Sequence, residues 1–177
     1  MNSAHITDFV NTVDLRPYAE GLSSPEALGE WLRERGLLAA GEPVTKRDLD
    51  EAIQVREAIR ALLAAQSGLP ADSNKASLTL DQAAKRARLR VRVSAGAAYP
   101  EPEAPGVRGA LGRLIGELAL AQADGTWKTL RACRADDCRW AFQDTTKNHS
   151  RAWCSMDSCG NREKARSYRE RHLGHGA

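Results

Sequence analysis

The sequence predicts an α+β protein: a mostly helical first part with one small β-hairpin, followed by a compact module organised by cysteines. Three observations carry that expectation. Apolar residues recur at helical spacing through most of the first 126 positions. One run, Leu89-Arg90-Val91-Arg92-Val93, alternates strictly instead. All four cysteines of the 177 residues fall within the last third of the chain. The apolar fraction of 42% and the charged fraction of 28% are those of a globular chain with a core. No run approaches the roughly 18 apolar residues that would cross a bilayer.

Taken in order, Asp8 to Leu15 is expected as a short helix, with Phe9, Val10 and Val13 on one face. Asn11 within it reads as a buried or helix-capping amide. Ser23-Ser24-Pro25-Glu26 opens a second helix with a hydroxyl cap and a first-turn proline, and Leu28, Trp31 and Leu32 form its apolar side before Gly36 ends it. Thr45 and Asp48 mark the start of the longest helix. Its stripe of Leu49, Ala52, Ile53, Val55, Ile59, Leu62 and Leu63 runs on to Gly68. Arg56 and Arg60 flank that stripe one turn apart, either as an anion site or as charges solvated or paired within the helix.

Ser73 is expected to cap a fourth helix that turns Leu80, Ala83, Ala84 and Ala87 inward. The alternating run then forms a half-buried strand whose hairpin mate covers Ala97 to Tyr99. Pro100 to Gly106 holds three prolines and reads as a loop. A last helix presents Val107, Leu111, Leu114, Ile115, Leu118 and Ala119 and stops near Gly125. Residues 1–126 are therefore expected to form one domain and 127–177 a second, smaller one.

In the second part, four residues separate Cys133 from Cys138, four separate Cys154 from Cys159, and fifteen lie between the pairs. Four thiolates suit one tetrahedral Zn²⁺, although an even number of cysteines also permits two disulfides. Met1 to His5 carries no basic leader region, and no apolar run resembles a signal segment, so a cytoplasmic location with reduced thiols is expected. Residues five apart on a helix diverge by about 140°. Cys154 must then sit in a turn and Cys159 in the first turn of the helix that Asn161 to Arg171 forms. Arg139 to Gln143 alternates like a strand, with Ser150 to Trp153 as its returning partner. A knuckle, a hairpin and a helix delivering the last two ligands is the layout of a treble-clef finger.

Trp153-Cys154-Ser155-Met156, then Cys159-Gly160-Asn161-Arg162 with Lys164-Ala165-Arg166, resembles the C-terminal motif of the CGNR zinc finger family. Trp127 to Cys133 and Cys138 to Asp144 fit the same family. The resemblance implies an N-terminal ABATE domain, to which Asp8 to Thr12 and Val55 to Leu63 are similar. It also implies a role as a stress-induced transcription regulator in bacteria.

Charge agrees with a polyanionic partner. From Trp127 onward eleven Lys and Arg face six Asp and Glu, whereas the preceding residues are slightly acidic. The expected nucleic-acid surface comprises Lys147 and Arg151 on the hairpin and Arg162, Lys164, Arg166, Arg169 and Arg171 on the helix. Arg134, Arg139 and Arg162 also read as neutralising charges for a thiolate centre that is formally −2. Trp140 and Trp153 are expected to pack around the metal. The histidines are scattered, His5 and His175 near the ends, His149 in a turn and His172 after the last helix. No phosphate loop, paired histidines or nucleophile elbow is present, and a closed four-sulfur site leaves no position for substrate, so no enzymatic activity is expected. The expectation is a zinc-dependent DNA-binding transcription regulator. Beside DNA, a small-molecule effector on the first domain and a homodimer are expected as partners, and no membrane. The alternatives are an RNA-binding or ribosome-associated factor and a zinc-stabilised protein–protein interaction module.

Overall fold

The computed structural model describes residues 4–173. Helix α1, Ala4–Val10, buries Ile6, Phe9 and Val10. It does not extend to Leu15 as the spacing predicts. The Thr12 hydroxyl bonds back to the Phe9 carbonyl at 2.8 Å and closes the helix end, after which β1 (Val13–Leu15) pairs antiparallel with β2 (Tyr18–Glu20). A Thr that satisfies a carbonyl locally competes with helix continuation. His5 is tied to Glu117 at 2.9 Å, which fixes the start of α1, while His175 lies outside the described residues.

Helix α2, Pro25–Glu34, starts with the Ser24 side chain accepting from the Ala27 N–H, and Trp31 sets its ring 5.2 Å from Phe9. Helix α3, Lys46–Gln66, carries the Thr45–Asp48 capping box that its sequence announces. Leu49, Val55, Ile59 and Leu63 face the same core as Leu28 and Leu32 of α2. Helix α4, Ser73–Arg86, is capped one residue earlier than expected, by Asp72. Helix α5, Gly106–Ala123, is buried along most of its length through Val107, Leu111, Leu114 and Leu118, with Ala119 exposed.

Strand β3, Leu89–Ser94, pairs with β4, Ala97–Pro102, through a two-residue turn in which Ala95 and Gly96 both have positive φ. Two expectations fail here. Pro100 and Pro102 belong to the strand, because a two-stranded sheet leaves each strand with a free edge where a missing N–H costs nothing. Their rings lie against glycines of α5: a Cβ on Gly112 would meet Pro102 Cβ at 2.8 Å, and one on Gly116 would meet Pro100 Cγ at 3.0 Å. Nor is β3 half-buried. Val91 and Val93 are 70% and 74% exposed, because the hairpin runs past the end of the core. Its polar side closes on itself through Arg90–Glu103 at 2.5 Å and Arg92–Glu101 at 3.0 Å.

Arg56 and Arg60 are neither solvated nor paired only within α3. Arg56, 3% exposed, bonds both carboxylate oxygens of Glu20 at 2.7 and 2.8 Å and the Thr12 hydroxyl at 3.1 Å. Arg60 donates to the Val10 carbonyl. Glu57 accepts from both arginines, at 2.9 and 3.0 Å. The two guanidiniums thereby fasten α1 and the β1–β2 hairpin to α3. Burial raises the Glu20 carboxyl, but hydrogen bonds from Arg56 and the Leu22 N–H, with the charges of Arg56 and Arg60, outweigh it and hold Glu20 below its ordinary 4.5.

Arg56→Ala is expected to destabilise the fold by about 3 kcal/mol, the low end for breaking a buried pair because Glu20 keeps some solvent contact. Thermal or urea unfolding measures it. Since the folded-state pKa of Glu20 is depressed, its contribution is full above 4.5 and is lost as pH falls through the folded value. Glu20→Gln should therefore flatten the acid limb of a stability–pH profile.

Candidate metal centre and its basic helix

The last third of the chain is built outward from α3. After a 3-10 turn, Thr126–Thr129, strand β5 (Leu130–Ala132) pairs with β6 (Ala141–Gln143). Leu130, Ala132 and Ala141 lie in the main core beside the helices. The C-terminus of α3 grips this hairpin by its backbone. Gln66 Nε2 donates to the carbonyls of Trp127 and Leu130 at 2.7 and 2.6 Å, and the Ser67 hydroxyl accepts from the Ala132 N–H at 2.8 Å. From the other side, Asn11 donates to the Ala141 carbonyl and accepts from the Ala141 N–H, each at 2.8 Å, as an extra strand residue would. Asn11 is thus neither a core amide nor a helix cap; it docks the finger. Arg60 adds a bond to the Arg139 carbonyl at 3.3 Å.

Cys133 and Cys138 flank the knuckle between β5 and β6, closed by Cys133 N–H to the Trp140 carbonyl and Cys138 N–H to the Ala135 carbonyl. Cys154 precedes, and Cys159 lies within, one π-helical turn, Met156–Gly160, that leads into α6, Asn161–Leu173. The wider turn places both sulfurs of this pair on one side, which a continuous α-helix forbids, and Ser155 caps it through the Ser158 N–H. The Met156 thioether lies over Gly160, where a Cβ would stand 2.7 Å from Met156 Sδ, a contact that the exposed methionine can relieve by turning aside.

All four Sγ atoms lie within 4.8 Å of one another, and Cys138–Cys154 and Cys154–Cys159 are each 3.7 Å apart. A tetrahedron with Zn–S of about 2.3 Å has sulfur–sulfur edges of about 3.8 Å. No disulfide is formed. The electrostatics point the same way. A hydrogen bond from the Cys138 thiol pulls Cys133 down to about 5 against burial, and N–H groups of Cys154 and Ala135 assist. Hydrogen bonding with Cys133, then burial, pushes Cys138 far up; burial, then the Cys133 charge, raises Cys154 to about 11. Four thiolates cannot coexist here without a cation, and Zn²⁺ in their midst supplies it. The chain is built for one structural zinc held by Cys133, Cys138, Cys154 and Cys159. Trp140 and Trp153 pack around the cluster as expected.

The segment between the pairs differs from expectation. Strand β6 pairs with β5, and Ser150 to Trp153 forms no returning strand. Buried Asp144 organises an irregular loop instead. Its carboxylate accepts from the Thr146 N–H and hydroxyl at 2.9 and 2.6 Å and from the Arg151 N–H at 2.8 Å. The turn composition of residues 144–148 is the only trace of this in the sequence. His149 Nδ1 meets the Asp144 carbonyl at 2.9 Å, and His172 Nδ1 meets the Tyr168 carbonyl at 2.8 Å, so both serve local structure.

The seven basic residues divide. Arg151 does not face outward: it donates to the carbonyls of Trp153 and Cys154 and lies over Phe142, bracing a ligand from behind. Arg162 bonds Asp137 at 3.2 Å and approaches Cys159 Sγ at 3.4 Å, the neutralising role anticipated for it. Arg134 instead caps α3 at the Ser67 carbonyl, and Arg139 pairs with Asp136. Arg166 pairs with Asp136 at 3.5 Å and with Glu163 at 2.6 Å. Lys147, Lys164, Arg169 and Arg171 make no ion pair among the described residues and are exposed.

Replacing Cys133 or Cys159 by Ser is expected to abolish the single bound zinc, read by metal analysis of the purified chain. Asn11→Ala should retain zinc yet cost roughly 1–3 kcal/mol, the penalty for two orphaned backbone groups of Ala141. Combined metal content and thermal unfolding separate the two effects.

Comparison with known families agrees with this geometry. The ABATE profile, described as "Putative stress-induced transcription regulator", matches residues 4–132, and the CGNR zinc finger profile matches residues 129–172. The two matches overlap across β5, the strand that is shared in space. No curated protein matches the chain. With one profile covering most of the sequence and the other the zinc module, the chain belongs to the ABATE family and ends in a CGNR zinc finger.

Proposed function

We propose that the protein is a DNA-binding transcription regulator whose zinc site holds α6 out as the contact element. The observation that carries this reading is the state of α6 itself. Beyond its first turn every described side chain is exposed, and the helix carries five Lys and Arg against two Glu. A helix that is polar on all sides gains little from packing. This one is held by its zinc-tethered start, by Glu163–Arg166 and by Tyr168 stacking on His172 at 3.9 Å. Such an element serves a partner. Its charge suits a phosphate backbone, with affinity drawn mainly from counterion release. Lys164, Arg169 and Arg171 are the cations ready for that contact, with Lys147 nearby in sequence to the metal loop.

The zinc is structural in this reading, because four sulfurs fill its coordination shell. The knuckle followed by a ligand-bearing helix supports a treble-clef relationship, although the middle hairpin is replaced by the Asp144 loop. A groove of about 280 Å³ between α3 and α4, floored by Ala58, Ala61 and Ala76, offers a place for an effector. No helix among the described residues is long and apolar enough to cross a membrane. A cytoplasmic regulator fits that observation.

Zinc-loaded protein is expected to bind duplex DNA with an affinity that falls steeply with salt. The Lys164→Ala/Arg169→Ala/Arg171→Ala variant should lower the slope of log K against log salt by roughly 2–3 while keeping its zinc. Fluorescence anisotropy across a salt series measures this. Salt-independent behaviour, or preference for structured RNA over duplex DNA, would replace the reading with the interaction-module or RNA-binding alternative.

A further inference from the structure

The arginines nearest the zinc are not free, and the way they are held is specific. Asp136 and Asp137 lie at the tip of the knuckle between Cys133 and Cys138. Each carboxylate is shared by two guanidiniums, one on each oxygen. Asp137 takes Arg162 of α6 on Oδ1 at 3.2 Å and Arg16 of the β1–β2 turn on Oδ2 at 3.4 Å. Asp136 takes Arg139 on Oδ1 at 3.3 Å and Arg166 of α6 on Oδ2 at 3.5 Å, while Glu163 within α6 holds Arg166 more closely, at 2.6 Å, and is not part of the exchange. The six side chains keep between 24% and 69% of their surface in water. Ion pairs this long and this wet are weak and are screened by salt. A second polyanion can therefore displace them.

We propose that Asp136 and Asp137 are internal stand-ins for DNA phosphates. In the free protein they hold Arg162 and Arg166 in place on the face of α6, and on binding the two arginines exchange carboxylate for backbone phosphate. This inference rests on the DNA-binding reading of α6 and adds a device to it. The spacing supports the exchange. Arg162, Arg166 and the unpaired Arg169 recur four and three residues apart, so all three line one side of the helix. The carboxylates occupy the end of that side nearest the zinc, and Arg169 leaves the far end open. Arg16 and Arg139 take the other oxygens and keep the aspartates in position after the α6 arginines depart. The free energy of breaking the internal pairs is subtracted from binding to any duplex alike, so at a given protein concentration only sites that make further contacts remain occupied.

The test compares wild type, Asp136→Asn/Asp137→Asn and Asp157→Asn, all zinc-loaded, on one random-sequence duplex over a salt series. Asp157 is an exposed acidic residue of the same module with no arginine partner among the described residues. The double variant is expected to bind roughly three- to tenfold tighter near 0.1 M salt, with the dependence on salt steeper by up to about 2. Asp157→Asn should shift affinity by less than about 1.3-fold and leave the salt dependence unchanged, below the roughly 1.7- to 3-fold gain per charge expected of the double variant. Unchanged affinity in the double variant, or an equal gain per charge in Asp157→Asn, overturns the exchange while leaving the DNA-binding reading intact. Absence of duplex binding by both wild type and the double variant removes the DNA-binding reading and the exchange with it. Zinc content of one per chain in every protein confirms that the knuckle is intact.

Discussion

Sulfur crowded against sulfur is the constraint on which the far end of this molecule depends. With four Sγ atoms inside 4.8 Å, one thiol ionises easily and its neighbours then resist ionising. A dication resolves that conflict and fixes three things at once: the knuckle, the π-helical turn and the starting direction of α6. Nothing apolar could do the same work there, because α6 has no hydrophobic face to bury. The helix is directed by its zinc-tethered first turn and by the Arg166–Asp136 pair one turn on, and most of its remaining surface is left for a partner.

A second constraint joins this centre to the rest of the chain. Strand β5 contributes Leu130 and Ala132 to the helical core, while the cysteine that follows it serves the metal. Gln66, Ser67 and Asn11 then bond the β5–β6 backbone as if it were an edge of the first domain. Arg60 reaches the carbonyl of Arg139, so the buried ion-pair network around Arg56 is one residue removed from the zinc ligand Cys138. Metal, hairpin and helices are mechanically continuous.

What the sequence disclosed follows from which interactions are local. The Thr45–Asp48 box, the Ser24 cap and the stripe from Leu49 to Leu63 act within one helix, and they are legible as pattern. The cysteine spacing was legible too, because tetrahedral coordination restricts where the ligands can sit along the chain. Pairing partners were not. Strands β5 and β6 are three residues long, and nothing in Arg139 to Gln143 indicates whether the mate lies before or after it. Arg151 shows the same limit for charge: its position in a basic run suggests a surface role, whereas the turn of the following residues brings the Trp153 and Cys154 carbonyls to it and the Phe142 ring under it, and no residue pattern announces that turn. Asp136 and Asp137 stand plainly between two ligands, yet their partners come from residues 16, 139, 162 and 166.

The two-way bond between Asn11 and Ala141 bears on how this architecture can be recombined. A finger lifted out at residue 127 would leave behind the amide that completes its strand edge and the helix end that receives its carbonyls. Transfer to a foreign scaffold would require grafting those Asn11 and Gln66 positions as well. Inheritance of the two modules as a single unit, rather than by exchange at residue 127, is the outcome this joint favours.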